Sequence, residues 1–305
     1  MSVKVIIHSV QCIDRTKRFP AVRDIFRFVL HVQFFKIAHG LFFFYMLDLV
    51  ERDGHIVQHQ MSAVFHNEER RPVSSAAAAE LTTVEAGKLT MATNAAFPPY
   101  EMTTDAGEFE GIDIETAQAI ADKLGLELQI DDMDFDAALL SVQQGKADIV
   151  MAGVTVTDER KAVMDFSDSY ATGIQSIIVP EGSDIASPDD LAGKMIGTQR
   201  GTTGYIYCSD DFGDESVVAY DDGLTAVQAL NNGQVDAVVI DNAPAQEFVA
   251  ANPGLKILDT SYAEEDYAIG MAKGSSLEDA VNAALEELKA DGTLQAIVDK
   301  YITAE

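Results

Sequence analysis

Arg160 is the residue whose type and position most clearly indicate chemistry. It is one of only two arginines after residue 71, and it ends the segment GVTVTDER at 153–160. The planar guanidinium matches both oxygens of a carboxylate, so Arg160 is a candidate for binding a carboxylate ligand. The alternative is a surface arginine paired with Asp158 or Glu159, and the residues alone leave both interpretations open.

Residues 80–305 contain few of the side chains that enzymes use. All six histidines precede residue 80, and Cys208, the one cysteine after it, has no basic neighbour in sequence. Imidazole chemistry, Cys–His nucleophiles and zinc sites are therefore excluded there. The phosphate-binding patterns GxxxxGK[ST] and GxGxxG are also missing where they would be expected. We expect a protein that is not an enzyme, without a cofactor, a metal or a catalytic residue.

The charge is divided very unevenly along the chain. Residues 1–79 have a net charge of +3 and residues 80–305 one of −32, for a total of −29. An acidic surface of this kind repels phosphate backbones and argues against nucleic-acid binding. Adjacent acids such as Asp131 and Asp132 could serve a glycosidase, but 43 acidic residues after residue 79 produce such pairs by composition. The abrupt change predicts that the two parts are separate units.

Residues 1–79 receive no fold assignment. The apolar run Leu41–Leu47 is too short to span a bilayer. A secretory signal is not recognised either, because the small residues Ala76–Ala79 lie about thirty positions beyond that run. Three interpretations remain: a misread or frame-shifted leader, an unusual membrane-targeting segment, or a small domain. The segment that ends at Ala79 is typical of a linker.

From Lys88 onward, predicted strands and helices alternate. The predicted strands are 88–93, 126–130, 148–151, 174–179, 194–198, 217–220, 236–240 and 267–271. The predicted helices are 113–124, 135–144, a short one opened by 201–204, 223–230, 245–251, 277–290 and 294–301. The first of these helices has Asp113 as its expected N-cap and ends at Gly125. The initial βαβαβ order indicates a parallel sheet with right-handed crossovers.

The pattern restarts in the second half of this region. Residues 144–150 (QGKADIV) and 232–238 (NGQVDAV) each join a helix end to a buried strand that begins with aspartate. A helix end followed by a buried strand occurs in many α/β chains. Its repetition here could also indicate two similar lobes. Open α/β sheets bind ligands beyond the carboxyl ends of their strands, so two such lobes would bind a ligand between them.

Several motifs, in their expected order, resemble the polar amino acid family (family 3) of extracytoplasmic solute-binding proteins of ABC importers. They are TNAAFPPYE at 93–101, GIDIE at 111–115, AGVTVTDERKAVMDF at 152–166, GTT at 201–203 and DAVVID at 236–241. The resemblance covers residues 85–305, nearly three quarters of the chain. It implies an α/β, two-lobed periplasmic-binding-protein-like (type II) fold with a ligand cleft between the lobes. Lobe 1 would comprise 80–171 and 265–305, and lobe 2 would comprise 172–264.

The resemblance also implies high-affinity binding of a free polar L-amino acid. Arg160 would hold the ligand α-carboxylate with the N–H groups of Thr155 and Thr203, and Asp241 would take the α-ammonium. Each role has a structural alternative; Asp241, for example, could be a helix N-cap. The expected ligand-binding residues are Asn94, Phe97, Phe135, Ala152, Gly153, Thr155, Arg160, Gln199, Thr202, Thr203 and Asp241.

The expected side-chain specificity depends on Asn94. Many relatives have aspartate at this position, and Gln199 and Ile240 occupy positions that vary with specificity. A buried cationic side chain would need a carboxylate beside it, and an apolar one would leave the amides unpaired. We therefore expect a neutral polar amino acid, glutamine or cystine-like, ahead of arginine and leucine. Phe97 and Phe135 would enclose its side chain.

The expected partners are the free amino acid and the permease subunits of an ABC transporter, with this protein a monomer. It would be periplasmic or at the cell surface, either free or lipid-anchored. One alternative is a cyclohexadienyl dehydratase-like enzyme on the same fold, with Glu101 or Asp136 as its added carboxylate. Another is a ligand-sensing domain of a receptor or kinase, which would need a transmembrane helix and a signalling domain beyond Glu305.

Overall fold

The computed structural model describes residues 29–37, 40–50, 56–58, 81–259 and 261–302. The chain divides into two units, Met1–Ser74 and Ser75–Glu305. In the first unit, strands β1 (Val29–Ile37), β2 (Gly40–Val50) and β3 (Ile56–Gln58) form an antiparallel sheet in that order. The sequence predicts no fold for this part, whose apolar run Leu41–Leu47 lies within β2. The predicted linker at 76–79 lies outside the described residues.

The second unit contains two main sheets, each of which forms the centre of one lobe. The strands of the first lobe are β4 (Lys88–Thr93), β8 (Glu127–Asp132), β9 (Ile149–Val150), β10 (Met164–Phe166) and β17 (Gly270–Ala272). They lie side by side in the order β10-β17-β9-β4-β8. A small accessory sheet contains β5 (Ala96–Phe97), β6 (Glu101–Thr103) and β7 (Phe109–Glu110). The helices are α1 (Ile112–Leu124), α2 (Phe135–Gln143), α3 (Asp158–Val163), α7 (Glu278–Asp291) and α8 (Thr293–Tyr301).

The second lobe has the strand order β13-β12-β14-β11-β15, with β16 paired to β11. Its strands are β11 (Ala171–Pro180), β12 (Ile196–Gln199), β13 (Val217–Tyr220), β14 (Ala237–Asp241) and β15 (Leu255–Ile257), and β16 (Ala263–Tyr267) leads from this sheet back to the first lobe. Its helices are α4 (Thr203–Phe212), α5 (Gly223–Asn231) and α6 (Asn242–Ala251). The central strands pair in parallel, as the sequence predicts, whereas β11 and β17 pair antiparallel with their neighbours.

Burial of the strands and helix faces explains why these segments fold as they do. In β4, Leu89 and Met91 are fully buried, and in α1 the residues Ile120 and Ala121 are fully buried on the face that meets the sheet. Burying one large aliphatic side chain contributes about 1.5–3 kcal/mol. Gly125 then ends α1 in the left-handed conformation, as predicted. Among the described residues, no helix has the length and apolar character needed to cross a bilayer.

The predicted N-cap of α1 is wrong. The helix begins one residue earlier than expected, and its N-cap is Gly111, with a φ of 130°. A Cβ at this glycine would lie 2.2 Å from the carbonyl oxygen of Tyr100, so the close passage of the two segments requires glycine. Asp113 is instead fully buried in the first turn, where its carboxylate accepts hydrogen bonds from other segments.

The strand predicted at 267–271 is also wrong, because it is two strands. Tyr267 ends β16, and β17 begins at Gly270. β16 pairs with β11 from Ala171 opposite Tyr267 to Gln175 opposite Ala263. Tyr267 also pairs with Thr155 of the first lobe. Strands β11 and β16 therefore connect the two lobes, and the fully buried Tyr267 ring lies beside this connection.

Candidate ligand-binding site

One pocket between the two lobes brings together all eleven residues that the sequence analysis selected. It contains roughly 320 Å³ of space outside protein atoms, part of it open to solvent. Its polar groups follow the carboxyl ends of β4, β9, β12 and β14, where α/β sheets bind ligands. The lining residues are Asn94, Phe97, Glu101, Phe135, Ala152, Gly153, Thr155, Arg160, Gln199, Thr202, Thr203 and Asp241.

Arg160 lies in the short helix α3 and is 8% exposed. Its Nη1 donates to the carbonyl oxygen of Thr155 at 2.8 Å, and its Nη2 donates to that of Gly201 in the second lobe at 3.2 Å. The guanidinium also lies 5.4 Å from the centre of the Phe135 ring. Burial lowers the pKa of Arg160, yet an arginine remains charged in a protein. The surface-arginine interpretation does not hold, because the side chain is buried and its guanidinium donates to backbone carbonyls of Thr155 and Gly201.

The beginning of α4 faces the same pocket. Thr202 is its N-cap, and the Oγ1 of Thr202 accepts from the N–H of Tyr205 at 3.3 Å. Thr203 is buried at the first helical position, and its hydroxyl lies 3.5 Å from that of Thr155 in the first lobe. Helix N-termini attract anions through free N–H groups and the helix dipole. Arg160 and α4 together therefore form an environment suited to a carboxylate.

Asp241 is the buried acid of the second lobe's central strand. It occupies the N-cap position of α6, but its side chain makes no capping hydrogen bond. Its Oδ1 instead accepts from the hydroxyl of Tyr267, and its Oδ2 accepts from Nε2 of Gln175 at 2.9 Å. Burial raises the pKa of Asp241 to about 7, although these hydrogen bonds oppose the rise. The carboxylate is therefore held for a role other than capping.

Two phenylalanines form apolar walls of the pocket. Phe97 and Phe135 are 7% and 5% exposed, and each also belongs to a hydrophobic cluster, so the structural and lining interpretations both apply. Gly153 has a φ of 54°, and a Cβ there would lie 2.9 Å from Cε1 of Phe97. Glycine is needed at this position because it lets the backbone approach the aromatic wall.

The amides of Asn94 and Gln199 meet across the cleft. Nε2 of Gln199 donates to Oδ1 of Asn94 at 2.8 Å and to the carbonyl of Asp221 at 3.2 Å. Nδ2 of Asn94 donates to the carbonyl of Met133 at 3.0 Å. Ile240, the third position tied to specificity, packs in the hydrophobic core instead of lining the pocket.

Two buried acids at the site were not among the expected binding residues. Glu101 lines the pocket and has no solvent exposure, whereas the sequence analysis considered it only for the enzyme alternative. Glu265 is 6% exposed, and its Oε2 accepts from the hydroxyls of Thr155 and Thr203 at 3.2 and 3.1 Å. The signal for Glu265 is strand periodicity, which places it on the same face as Tyr267.

Comparison with known proteins identifies the family. The model of bacterial extracellular solute-binding proteins, family 3, matches residues 89–304. The L-cystine-binding protein TcyJ of Escherichia coli K12 is 33% identical over 226 residues, which cover 72% of this chain and 85% of the relative. The arginine-binding extracellular protein ArtP of Bacillus subtilis is 33% identical over 230 residues, covering 72% and 87%.

A solved structure extends the likeness to the fold. An ancestral arginine-binding protein bound to glutamine has a TM-score of 0.69 and 42% identity, covering 72% of this chain and all of that chain. The fold is thus the two-lobed type II α/β fold with its cleft between the lobes. The three relatives are named for binding, which gives the dehydratase alternative no support. The chain therefore belongs to the bacterial extracellular solute-binding proteins of family 3, the polar amino acid receptors of ABC importers.

Proposed function

We propose that this protein binds a free polar L-amino acid outside the cytoplasmic membrane and delivers it to the permease subunits of an ABC importer. The observation that carries the proposal is the charge clamp, by which we mean Arg160 and Asp241, two buried groups of opposite charge that line one pocket. An α-amino acid presents a carboxylate and an ammonium on one carbon, so it matches such a site. The relatives' names, which include cystine- and arginine-binding proteins, support this assignment.

In the binding mode we propose, the clamp recognises the part that all α-amino acids share. The guanidinium of Arg160 donates hydrogen bonds to the two oxygens of the α-carboxylate, which also accept from the N–H groups of Thr155 and Thr203. The carboxylate of Asp241 receives the α-ammonium, helped by the carbonyl of Gly153 and the hydroxyl of Thr155. Because Glu265 accepts a hydrogen bond from that hydroxyl, the lone pairs of the Thr155 oxygen are left to face the ammonium.

Ligand binding would favour the closed arrangement of the lobes. We assign 80–171 and 265–305 to lobe 1 and 172–264 to lobe 2, with β11 and β16 carrying the hinge. The bond from Arg160 to the carbonyl of Gly201 and the amide pair of Asn94 and Gln199 join the lobes. A ligand that contacts Arg160 and Asp241 touches both lobes at once, and this is the condition under which it shifts an open–closed equilibrium.

For the side chain we retain the preference for a neutral polar group, with glutamine or cystine-like ligands ahead of arginine and leucine. The Asn94–Gln199 amide pair and the walls formed by Phe97 and Phe135 support this choice. Competition calorimetry with glutamine and arginine tests it directly at neutral pH. Tighter binding of arginine would contradict the neutral preference.

A thermal-shift screen of the full chain tests the proposed function. The ligands are the twenty amino acids, cystine and ornithine, and one at 100 times its Kd should add about 2.7 kcal/mol to stability. The matched control for glutamine is 4-aminobutanamide, which lacks only the α-carboxylate and should bind far more weakly. Absence of a shift with every amino acid, or equal binding of glutamine and its control, would contradict the proposal.

A further inference from the structure

Two buried carboxyl groups next to each other take no part in the binding mode above. Glu101 begins β6 and lines the pocket, and Asp113 lies in the first turn of α1. Both residues have no solvent exposure. The backbone N–H of Asp113 donates to the carbonyl of Tyr100 at 2.8 Å, which places Asp113 beside the segment that carries Glu101, and we call the two residues the acid pair.

The two acids differ in the number of hydrogen-bond donors that reach them. Oδ2 of Asp113 accepts from the N–H of Gly153 at 3.0 Å and from the hydroxyl of Tyr170 at 2.8 Å. Among the described residues, no donor reaches Oδ1 of Asp113 or either oxygen of Glu101. Two ionised carboxylates cannot hydrogen-bond each other, since neither has a donor. A proton on Glu101 would supply one, and its O–H could then donate to Asp113.

Among the described residues, the charged groups that raise the pKa of Glu101 are other acids. They are Asp113 from α1, Asp241 from the end of β14 and Asp132 from the end of β8, while Tyr100 and Tyr170 contribute neutral hydroxyls nearby. Among the described residues that line the pocket, Arg160 is the one cation, and its guanidinium is bonded to Thr155 and Gly201. Burial raises the pKa of Glu101 well above its usual range and that of Asp113 to about 6.

We propose that Glu101 and Asp113 share one proton in the ligand-free pocket and that the ligand's side chain decides whether this proton stays. A neutral polar side chain binds with the proton in place, and the protonated carboxyl remains available to an amide as donor or acceptor. A guanidinium or ammonium side chain displaces the proton to solvent and takes the ionised pair as its counterion. The charge balances, because one cation enters and one proton leaves.

This inference rests on the proposed amino acid binding and extends it to a pH-dependent choice of side chain. Because a cationic side chain competes with the proton, its affinity relative to a neutral analogue should rise with pH. The rise should approach tenfold per pH unit while the pair remains protonated. At low pH the pocket should thus prefer neutral ligands, in keeping with the preference stated above.

Arginine and citrulline isolate this effect, since they differ only in a guanidinium and a neutral ureido group. The experiment is calorimetry of the full chain with each ligand, in two buffers of different protonation enthalpy, to count the protons exchanged. Any titration of Asp241 by the α-ammonium is common to both ligands and cancels in the difference. We expect arginine to release about one proton more than citrulline at pH 7. Glu101→Gln should abolish the difference, and Glu108→Gln, which removes an exposed acid of the same type, should retain it.

Equal proton counts for the two ligands, or a difference that persists in Glu101→Gln, would overturn the inference. The ratio of the two dissociation constants from pH 5 to 8 gives a second readout that needs no variant, and a constant ratio would also overturn it. If glutamine and citrulline bind but arginine does not bind at any pH from 5 to 8, the exchange of a proton for a cationic side chain is refuted. The proposed function would remain intact in that case. Failure of every amino acid to bind would instead contradict the proposed function itself.

Discussion

The charge clamp and the acid pair are both buried and charged, but they differ in how their charges are compensated. Arg160 and Asp241 have fixed hydrogen-bond partners in the protein, and their opposite signs match the two charged groups of an α-amino acid. Glu101 and Asp113 have the same sign and too few donors. The clamp is therefore suited to what every amino acid shares. The acid pair is suited to what distinguishes one side chain from another.

Asp241→Asn should have the largest effect on binding. The variant keeps the size of the side chain but removes the negative charge that faces the ligand ammonium. Truncating one partner of a buried charge pair costs about 2–5 kcal/mol, so affinity for every amino acid should fall by a factor on the order of 100. Calorimetry measures this loss, with Asp210→Asn at an exposed acid as the matched control. If Asp241→Asn binds like Asp210→Asn, the clamp is misassigned.

The sequence revealed the clamp more readily than the acid pair. Arginine is rare after residue 71, so Arg160 stood out, and Asp241 ended a recognisable buried strand. Glu101 is one of 43 acidic residues in residues 80–305, and nothing in its type marks it as buried. Glu101 is buried where its segment passes Gly111, and no local pattern encodes such a contact between segments.

Local sequence patterns also predict the secondary structure only in part. Strands and helices with clear periodicity, such as β4 and α5, were predicted close to their observed bounds. The sequence does not predict the accessory strands β5 to β7, since two or three residues carry no periodic signal, or helix α3, whose six residues make fewer than two helical turns. The N-cap of α1 was misassigned because Asp113 fits a cap in sequence, whereas its carboxylate is bonded to Gly153 and Tyr170.

The ligand-free protein should lose stability as the pH rises from about 4 to 7. The folded-state pKa values of Asp113 and Asp241, about 6 and about 7, lie above those of the unfolded chain. The folded state therefore holds protons that the unfolded state has released, and this stabilising contribution is lost as the pH rises through those values. Each pKa unit by which a folded-state value exceeds the unfolded one is worth about 1.4 kcal/mol, so the loss should amount to several kcal/mol.

Chemical denaturation across this pH range measures the stability loss. Asp241→Asn should flatten the profile between pH 5 and 7, whereas Asp210→Asn should leave its shape unchanged. A profile of Asp241→Asn that runs parallel to the wild-type curve would show that Asp241 is ionised throughout. The clamp would then carry two full charges before the ligand arrives, and its contrast with the acid pair would be sharper.

Arg160→Lys tests whether the clamp needs a planar, two-pronged cation or only a positive charge. The lysine ammonium cannot hold both carboxylate oxygens in one plane or reproduce both bonds to the backbone carbonyls. We expect a loss on the order of 2 kcal/mol in binding, roughly thirtyfold, with a modest change in stability. Arg200→Lys is the matched control because Arg200 is the other arginine after residue 71 and is exposed. Wild-type affinity in Arg160→Lys would reduce the role of Arg160 to that of a general positive charge.

Asn94→Asp should have the smallest effect. It tests whether a carboxylate outside the acid pair also favours a positively charged side chain. Asn94 already donates to the carbonyl of Met133 and accepts from Gln199, so an aspartate keeps the second bond and loses the first. It also adds a negative charge to a pocket that holds Glu101. We expect the affinity for arginine relative to citrulline to rise about tenfold, or about 1.4 kcal/mol, even at pH 5, where the acid pair retains its proton. Asn231→Asp adds the same charge at an exposed position and should leave the ratio unchanged at physiological salt. An unchanged ratio in Asn94→Asp would show that the acid pair alone recognises side-chain charge, because a new carboxylate among the lining residues would then have had no influence on a cation.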